Sequence, residues 1–237
     1  MRATILLFSL LLLASCDPKD VQKTMEILTA SSDITADEAG AGLKEALNLG
    51  ITHGVSLLSA KDGFYKSSYK ILLPPEARKV TAKLRNVPGF TQVEDIILEK
   101  INRGAEDAVK RAKPIFVDAI KQMTFRDAFD ILMGADDAAT KYLRRTTYDR
   151  LYKEFNPVIV QSLDKFQARK YWADAVNAYN KIPLVEKANP DLDDYVTRQA
   201  LEAVFTMVRK EEYAIRKDKT KRVTDLLRRV FAKQDKR

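Results

Sequence analysis

A single cysteine, Cys16, closes the string Leu13-Ala14-Ser15-Cys16, directly after an apolar run from Ile5 to Ala14 broken only by Ser9. Small residues before a cysteine fit a narrow peptidase cleft, and a cysteine thiolate is the nucleophile that forms a thioether with lipid. The pattern predicts a lipoprotein signal peptide over residues 1–15 and lipidation at Cys16. The apolar run follows Met1-Arg2 and is too short to span a bilayer, which takes about 20 residues. Two or more acyl chains on one residue give lasting membrane attachment. With Cys16 lipidated no thiol remains, so disulfides, zinc–thiolate sites, iron–sulfur clusters and cysteine catalysis fall away.

Other groups that could do chemistry are sparse. His53 is the only histidine, so neither HExxH nor paired Glu-x-x-His motifs can exist. It sits between Ile51 and Val55, where a boundary imidazole with a local hydrogen bond is expected. Asp191, Asp193, Asp194 and Glu202 echo a calcium loop, but Tyr195 and Val196 stand where a ligand and the turn glycine belong. Those acids are expected to cap a helix instead. Glu211 and Glu212 point about 100° apart on a helix and share no site. Glu212 and Arg216 have the i,i+4 spacing of a surface ion pair. No catalytic residue, metal ligand or cofactor is assigned.

Two clusters remain as binding candidates. Residues 209–237 hold twelve Lys/Arg against five acids, whereas residues 16–208 are balanced. The last helix carries an apolar stripe of Val223, Leu226, Leu227, Val230 and Phe231, with Arg222, Arg228, Arg229 and Lys233 away from it. Such a helix suits an anionic membrane or an acidic protein partner. Tyr65, Tyr69, Tyr171, Trp172 and Tyr179 are candidates for an apolar-ligand groove, because aromatics with polar tips often line one.

These residues need elements to hold them. The chain has 237 residues, 46% hydrophobic and 31% charged, which fits a folded domain rather than disorder. Residues 16–34 read as a tether with a short helix at Val21–Leu28. Leu43, Leu47, Ile51, Val55 and Leu58 mark an amphipathic helix over 36–60. Its four glycines, Gly40, Gly42, Gly50 and Gly54, require another helix close by. Asp62-Gly63 ends it. Tyr69–Leu73 is extended before Pro74-Pro75, and Pro75 opens a helix to Arg85.

Val93, Ile97, Ile101, Ala105 and Ala108 define the next helix, which Pro114 kinks or restarts. Thr124 caps a helix that stops at Gly134. Asp136 caps a long one that Asn156-Pro157 should break, leaving short helices at 158–167 and 170–181. Pro183 and Asn189-Pro190 bound a loop, and Asp191–Asp194 opens the helix carrying Val196, Ala200, Val204 and Val208. The pattern predicts an all-α fold: one domain of about eight to ten helices over residues 35–237.

Several strings resemble the bacterial family known as domain of unknown function 4197: Gly42-Leu43-Lys44-Glu45-Ala46-Leu47, Asp62-Gly63-Phe64, Ile71-Leu72-Leu73-Pro74 and Ala138-Ala139-Thr140-Lys141-Tyr142. Asp194-Tyr195-Val196, Glu211-Glu212 with Ile215-Arg216, and Thr224-Asp225-Leu226-Leu227 continue it, over roughly residues 35–232. The resemblance implies an all-helical, exported and often lipidated envelope protein. It implies no activity, cofactor or catalytic residue.

The expected function is a lipid-anchored, periplasm-facing domain that binds or scaffolds without catalysis. A carrier of an apolar small molecule or lipid is the alternative, and a hydrolase a distant third. Export makes nucleic acid the wrong partner despite the positive charge.

Overall fold

Thr35 opens the first helix with a capping box. Its hydroxyl accepts from the Glu38 backbone N–H at 3.2 Å, and the Glu38 carboxylate accepts from the Thr35 N–H at 2.9 Å. The computed structural model describes residues 35–165, 167–188, 191–232 and 235. The signal segment, Cys16, the tether with Val21–Leu28, Asn189-Pro190 and Lys233 lie outside the described residues.

Among the described residues there are nine α-helices, one 3₁₀ turn and no strand. The helices are α1 (Ala36–Ser59), α2 (Pro75–Leu84), α3 (Val93–Val109), α4 (Ala112–Gln122) and α5 (Phe125–Met133). They continue as α6 (Ala138–Lys165), α7 (Ala168–Asn180), α8 (Asp193–Lys217) and α9 (Asp225–Ala232), with the 3₁₀ turn at Lys219–Lys221. The expected all-α single domain is what forms, and one core running from Ala39 to Phe231 draws on every helix. Helix α1 packs against α3, α4, α5, α8 and α9, while α6 packs against α3, α4, α5, α7 and α8.

Two glycines of α1 show why that helix tolerates their poor propensity. A Cβ on Gly42 would lie 2.6 Å from Val230 Cγ2 of α9, and one on Gly54 would lie 2.7 Å from Met207 Cγ of α8. The expected close approach of neighbouring helices is present at both.

Pro157 does not break α6, contrary to expectation; the helix runs through it to Lys165. A proline inside a helix strands the carbonyl four residues back. Here that residue is Lys153, and both Lys153 and Pro157 are exposed, so water can take the carbonyl. Phe155, Ile159 and Leu163 remain in the core on the opposite face, and their burial outweighs one lost bond. Pro114 restarts rather than kinks: α3 ends at Val109 and α4 begins at Ala112, so Pro114 stands in the first turn, where its missing N–H costs nothing.

Two buried side chains on α3 hold the non-helical stretch before α2. Asn102 accepts from the Ile71 N–H at 2.8 Å and donates to the Ile71 carbonyl at 2.9 Å, as a neighbouring strand would. Glu106 accepts from the backbone N–H groups of Phe64 and Tyr65 at 3.1 and 3.2 Å. Extended backbone over Lys70–Pro74 is thereby fixed without any sheet.

Candidate functional site

Helices α2 and α7 and the start of α8 enclose a cleft of about 430 Å³. Trp172 and Tyr179 form its floor, Pro74, Ala77, Leu192 and Tyr195 its walls. Trp172 and Tyr179 fall one turn and three turns into the apolar face of α7, four and eleven residues beyond Ala168. The rim is charged with both signs: Lys79 and Lys187 against Glu76, Glu186 and Asp191.

The walls are tied to the frame. The Tyr195 hydroxyl donates to the Leu72 carbonyl at 2.9 Å, joining α8 to the extended stretch that Asn102 holds. Asn180, the last residue of α7, accepts from the Ala188 N–H at 2.9 Å and donates to its carbonyl at 3.2 Å. That pair of hydrogen bonds between side chain and backbone returns the loop after α7 to the cleft edge. Asp191 accepts from the Asp193 N–H at 2.9 Å and so begins α8.

Behind the cleft, two buried polar atoms lack a hydrogen-bond partner among the described residues: Trp172 Nε1 and Asp193 Oδ1. Both residues line one void of about 10 Å³, together with Leu192 and Arg169. The void has room for about one water, and it brings a donor and an acceptor to the same place. Burial, followed by the nearby Asp191 charge, pushes the Asp193 carboxyl above its ordinary value, against the pull of Arg169.

Of the five groove candidates, only Trp172 and Tyr179 meet in this cleft. Tyr65 lies beneath Lys70 and Arg103, 4.9 and 5.2 Å from its ring centre. Tyr69 donates to Met207 Sδ at 3.7 Å, and Tyr171 packs on Phe90 with ring centres 6.4 Å apart. They stand apart because different helices claim them: proximity in sequence did not translate to one surface. Tyr195, Leu192 and Pro74, which complete the cleft, come from segments distant in sequence.

The basic candidates also change character. Arg222 is buried, not displayed: its guanidinium donates to the carbonyls of Ile215 and Arg216 at the end of α8 and pairs with Asp235 at 2.8 Å. The bond from Arg222, helped by Lys219 at 3.3 Å, pulls the Asp235 carboxyl down to about 2. The carbonyls at a helix C-terminus need donors, and a guanidinium supplies several in a fixed fork. Arg228 pairs with Asp225 at 2.7 Å and donates to the Arg222 carbonyl, and Arg229 pairs with Glu38 at 2.9 Å. Val223, assigned to the apolar stripe, is exposed because α9 starts only at Asp225.

The remaining ionisable candidates are occupied structurally. His53 is exposed and bonds Glu211 of α8 across the helix interface at 2.9 Å, rather than a local partner. Glu212 and Arg216 are buried, not a surface pair. Asp193, Asp194 and Glu202 go to Arg169, Arg198 and Arg144 respectively. The signal that could have marked Glu212, Asn102 and Glu106 is a polar residue inside an apolar stripe, as Asn102 and Glu106 are beside Leu98, Ala105 and Val109.

Fold and site together define an all-helical single-domain protein with a mixed-polarity surface cleft. The chain belongs to the family DUF4197, a protein family of unknown function, whose model matches residues 33–232. No curated protein and no solved structure matches it.

Proposed function

We propose that this protein is a non-enzymatic binding domain of the cell envelope, held on a membrane through lipidated Cys16 and receiving a small ligand in the Trp172 cleft. One observation carries the binding part: aromatic and apolar walls meet a charged rim in a cleft of about 430 Å³, within the size range of small-molecule sites. The buried ionisable groups argue for binding over catalysis, because Glu106, Glu212, Arg216 and Arg222 spend their bonds on backbone and on each other. The anchor rests on the sequence of residues 1–16 alone.

An enclosed lipid carrier has less support. The void among α1, α8 and α9 measures about 20 Å³, too small for an acyl chain. A basic docking helix also loses support, since Arg222 faces inward and Arg228 and Arg229 are paired with acids of this chain.

Trp172 is the only tryptophan, so its emission reports directly on the cleft. Small molecules extracted from the producing cell's envelope are expected to shift that emission saturably, and the shift is expected to vanish in Tyr179→Ala. Emission unmoved by every fraction, with no small molecule retained through native purification, would overturn the binding reading. Cys16→Ser is expected to move the protein from the membrane to the soluble envelope fraction.

A further inference from the structure

Leu184 is the anomaly of the surface. Its side chain is fully exposed, and its backbone sits at φ 62°, in the left-handed region. Leucine is disfavoured there on steric grounds, where glycine or asparagine would be comfortable. It gains no burial in return. Strain of this kind persists where something other than the isolated fold selects the residue.

Position supplies the context. Leu184 precedes the cleft-lining residues Glu186, Lys187 and Ala188 by two to four residues, on the loop that Asn180 clamps. Leu72 is also exposed, at 57%. It precedes the cleft wall Pro74 by two residues, and its carbonyl is held by Tyr195, another wall residue. Two exposed leucines therefore each stand two residues from a residue that lines the cleft, Pro74 or Glu186. Lys181 and Lys187, both exposed, bracket the Leu184 loop. The rim carries carboxylates at Glu76 and Glu186 and ammonium groups at Lys79 and Lys187, the last also donating to the Asn180 carbonyl.

We infer that the cleft mouth faces a phospholipid bilayer, with Leu72 and Leu184 entering the interface and the cleft receiving a zwitterionic headgroup that carries both a phosphate and an ammonium. Apolar tips flanked by lysines lower into the headgroup region and meet anionic phosphates on the way. The magnitudes divide the work. Burying a leucine is worth about tenfold or more in affinity, and an exposed ion pair only a few-fold. The leucines supply attachment, and the rim charges supply headgroup choice. This inference rests on the cleft being a binding site.

The test uses the chain from residue 16 with Cys16→Ser, which keeps every residue of the core and removes the acyl contribution. Vesicles of phosphatidylethanolamine with phosphatidylglycerol are compared with vesicles of phosphatidylcholine and the same share of phosphatidylglycerol. Cosedimentation is expected with both, and more strongly with the ethanolamine lipid, whose small ammonium reaches Glu76 and Glu186. Leu184→Asn keeps the left-handed turn and is expected to weaken cosedimentation about tenfold, as is Leu72→Ser. Soluble glycerophosphoethanolamine is expected to shift Trp172 emission equally in both variants and in the parent. Unchanged cosedimentation in both leucine variants would overturn the membrane-facing orientation. Trp172 emission unmoved by glycerophosphoethanolamine, yet moved by another envelope molecule, would overturn the headgroup and leave the cleft standing. A shift with the soluble headgroup but no cosedimentation would mark the free headgroup, not the bilayer, as the source and overturn the inference.

Discussion

Glu212 and Arg216 form an ion pair at 2.9 Å in the core, one helical turn apart on α8, and each also closes the end of a different helix. Glu212 accepts from the N–H groups of Ala139 and Thr140, in the first turn of α6, at 2.9 and 2.8 Å. Arg216 donates to the carbonyls of Ile131 and Leu132, at the end of α5, at 2.8 and 3.3 Å. An anion meets the positive end of one helix dipole and a cation the negative end of the other. Three helices are registered by two side chains.

Removing one partner strands the other as a buried charge. Glu212→Ala is therefore expected to destabilise the domain by about 3–5 kcal/mol. The double variant Glu212→Ala with Arg216→Leu is expected to cost clearly less than the sum of the two single variants. Urea unfolding of the four proteins checks this, and strict additivity would contradict it.

Asp193 and Asp235 give opposite pH dependences. The folded-state value of Asp193 is raised, so the folded chain holds that proton more tightly than the unfolded one. Its contribution is full below the ordinary carboxyl value of about 3.9 and is lost as pH rises through the raised value. Asp193→Asn should consequently match the parent in acid and exceed it in stability near neutrality. Asp235 is lowered to about 2, so its contribution is present above about 3.9 and lost as pH falls through 2. Asp235→Asn should be the less stable chain at neutral pH and approach the parent in strong acid. Melting temperatures across pH compare both variants with the parent.

Gly42 and Gly54 should differ on substitution. At Gly42 the new methyl meets Val230 Cγ2, a stiff β-branched side chain, and at Gly54 it meets the flexible Met207. Gly42→Ala is expected to cost about 1–3 kcal/mol from overpacking, partly offset by about 1 kcal/mol of helix propensity. Gly54→Ala should be close to neutral. Adding Val230→Ala should recover stability in the Gly42 variant but not in the Gly54 variant. Thermal unfolding reads both.

Asn102→Ala leaves the Ile71 N–H and carbonyl without their partner in the core. Each buried unsatisfied group costs about 1–3 kcal/mol. Because the same stretch supplies Pro74 and the Leu72 carbonyl to the cleft, the loss should also appear as altered Trp172 emission. The same emission and urea unfolding read both effects.

Local signals were legible wherever a helix end is made by its own residues. Thr124 and Asp127 form a capping box and Gly134 ends the same helix, as their order foretells. Pro75 stands at the first position of α2 for the same reason. What escaped was decided by distant partners. Arg222 reads as one more surface cation until the end of α8 and Asp235 converge on it. Pro157 reads as a breaker until the burial of Phe155 and Ile159 is known. The cleft was half visible through Trp172 and Tyr179, but Tyr195 and Pro74 reach it only through tertiary packing.

Arg229 of α9 reaches Glu38, the residue that completes the cap of α1, across 191 positions of sequence. The first and last of the described helices therefore share a seam, sealed where Val230 fits over Gly42. A load applied at Thr35 would enter the domain at the turn of α1 that Arg229 holds through Glu38. The seam is also the last to close during synthesis, because the part of α1 around Gly42 is covered only once Val230 has been made. The packing around α1 is therefore completed only when α9 has been made.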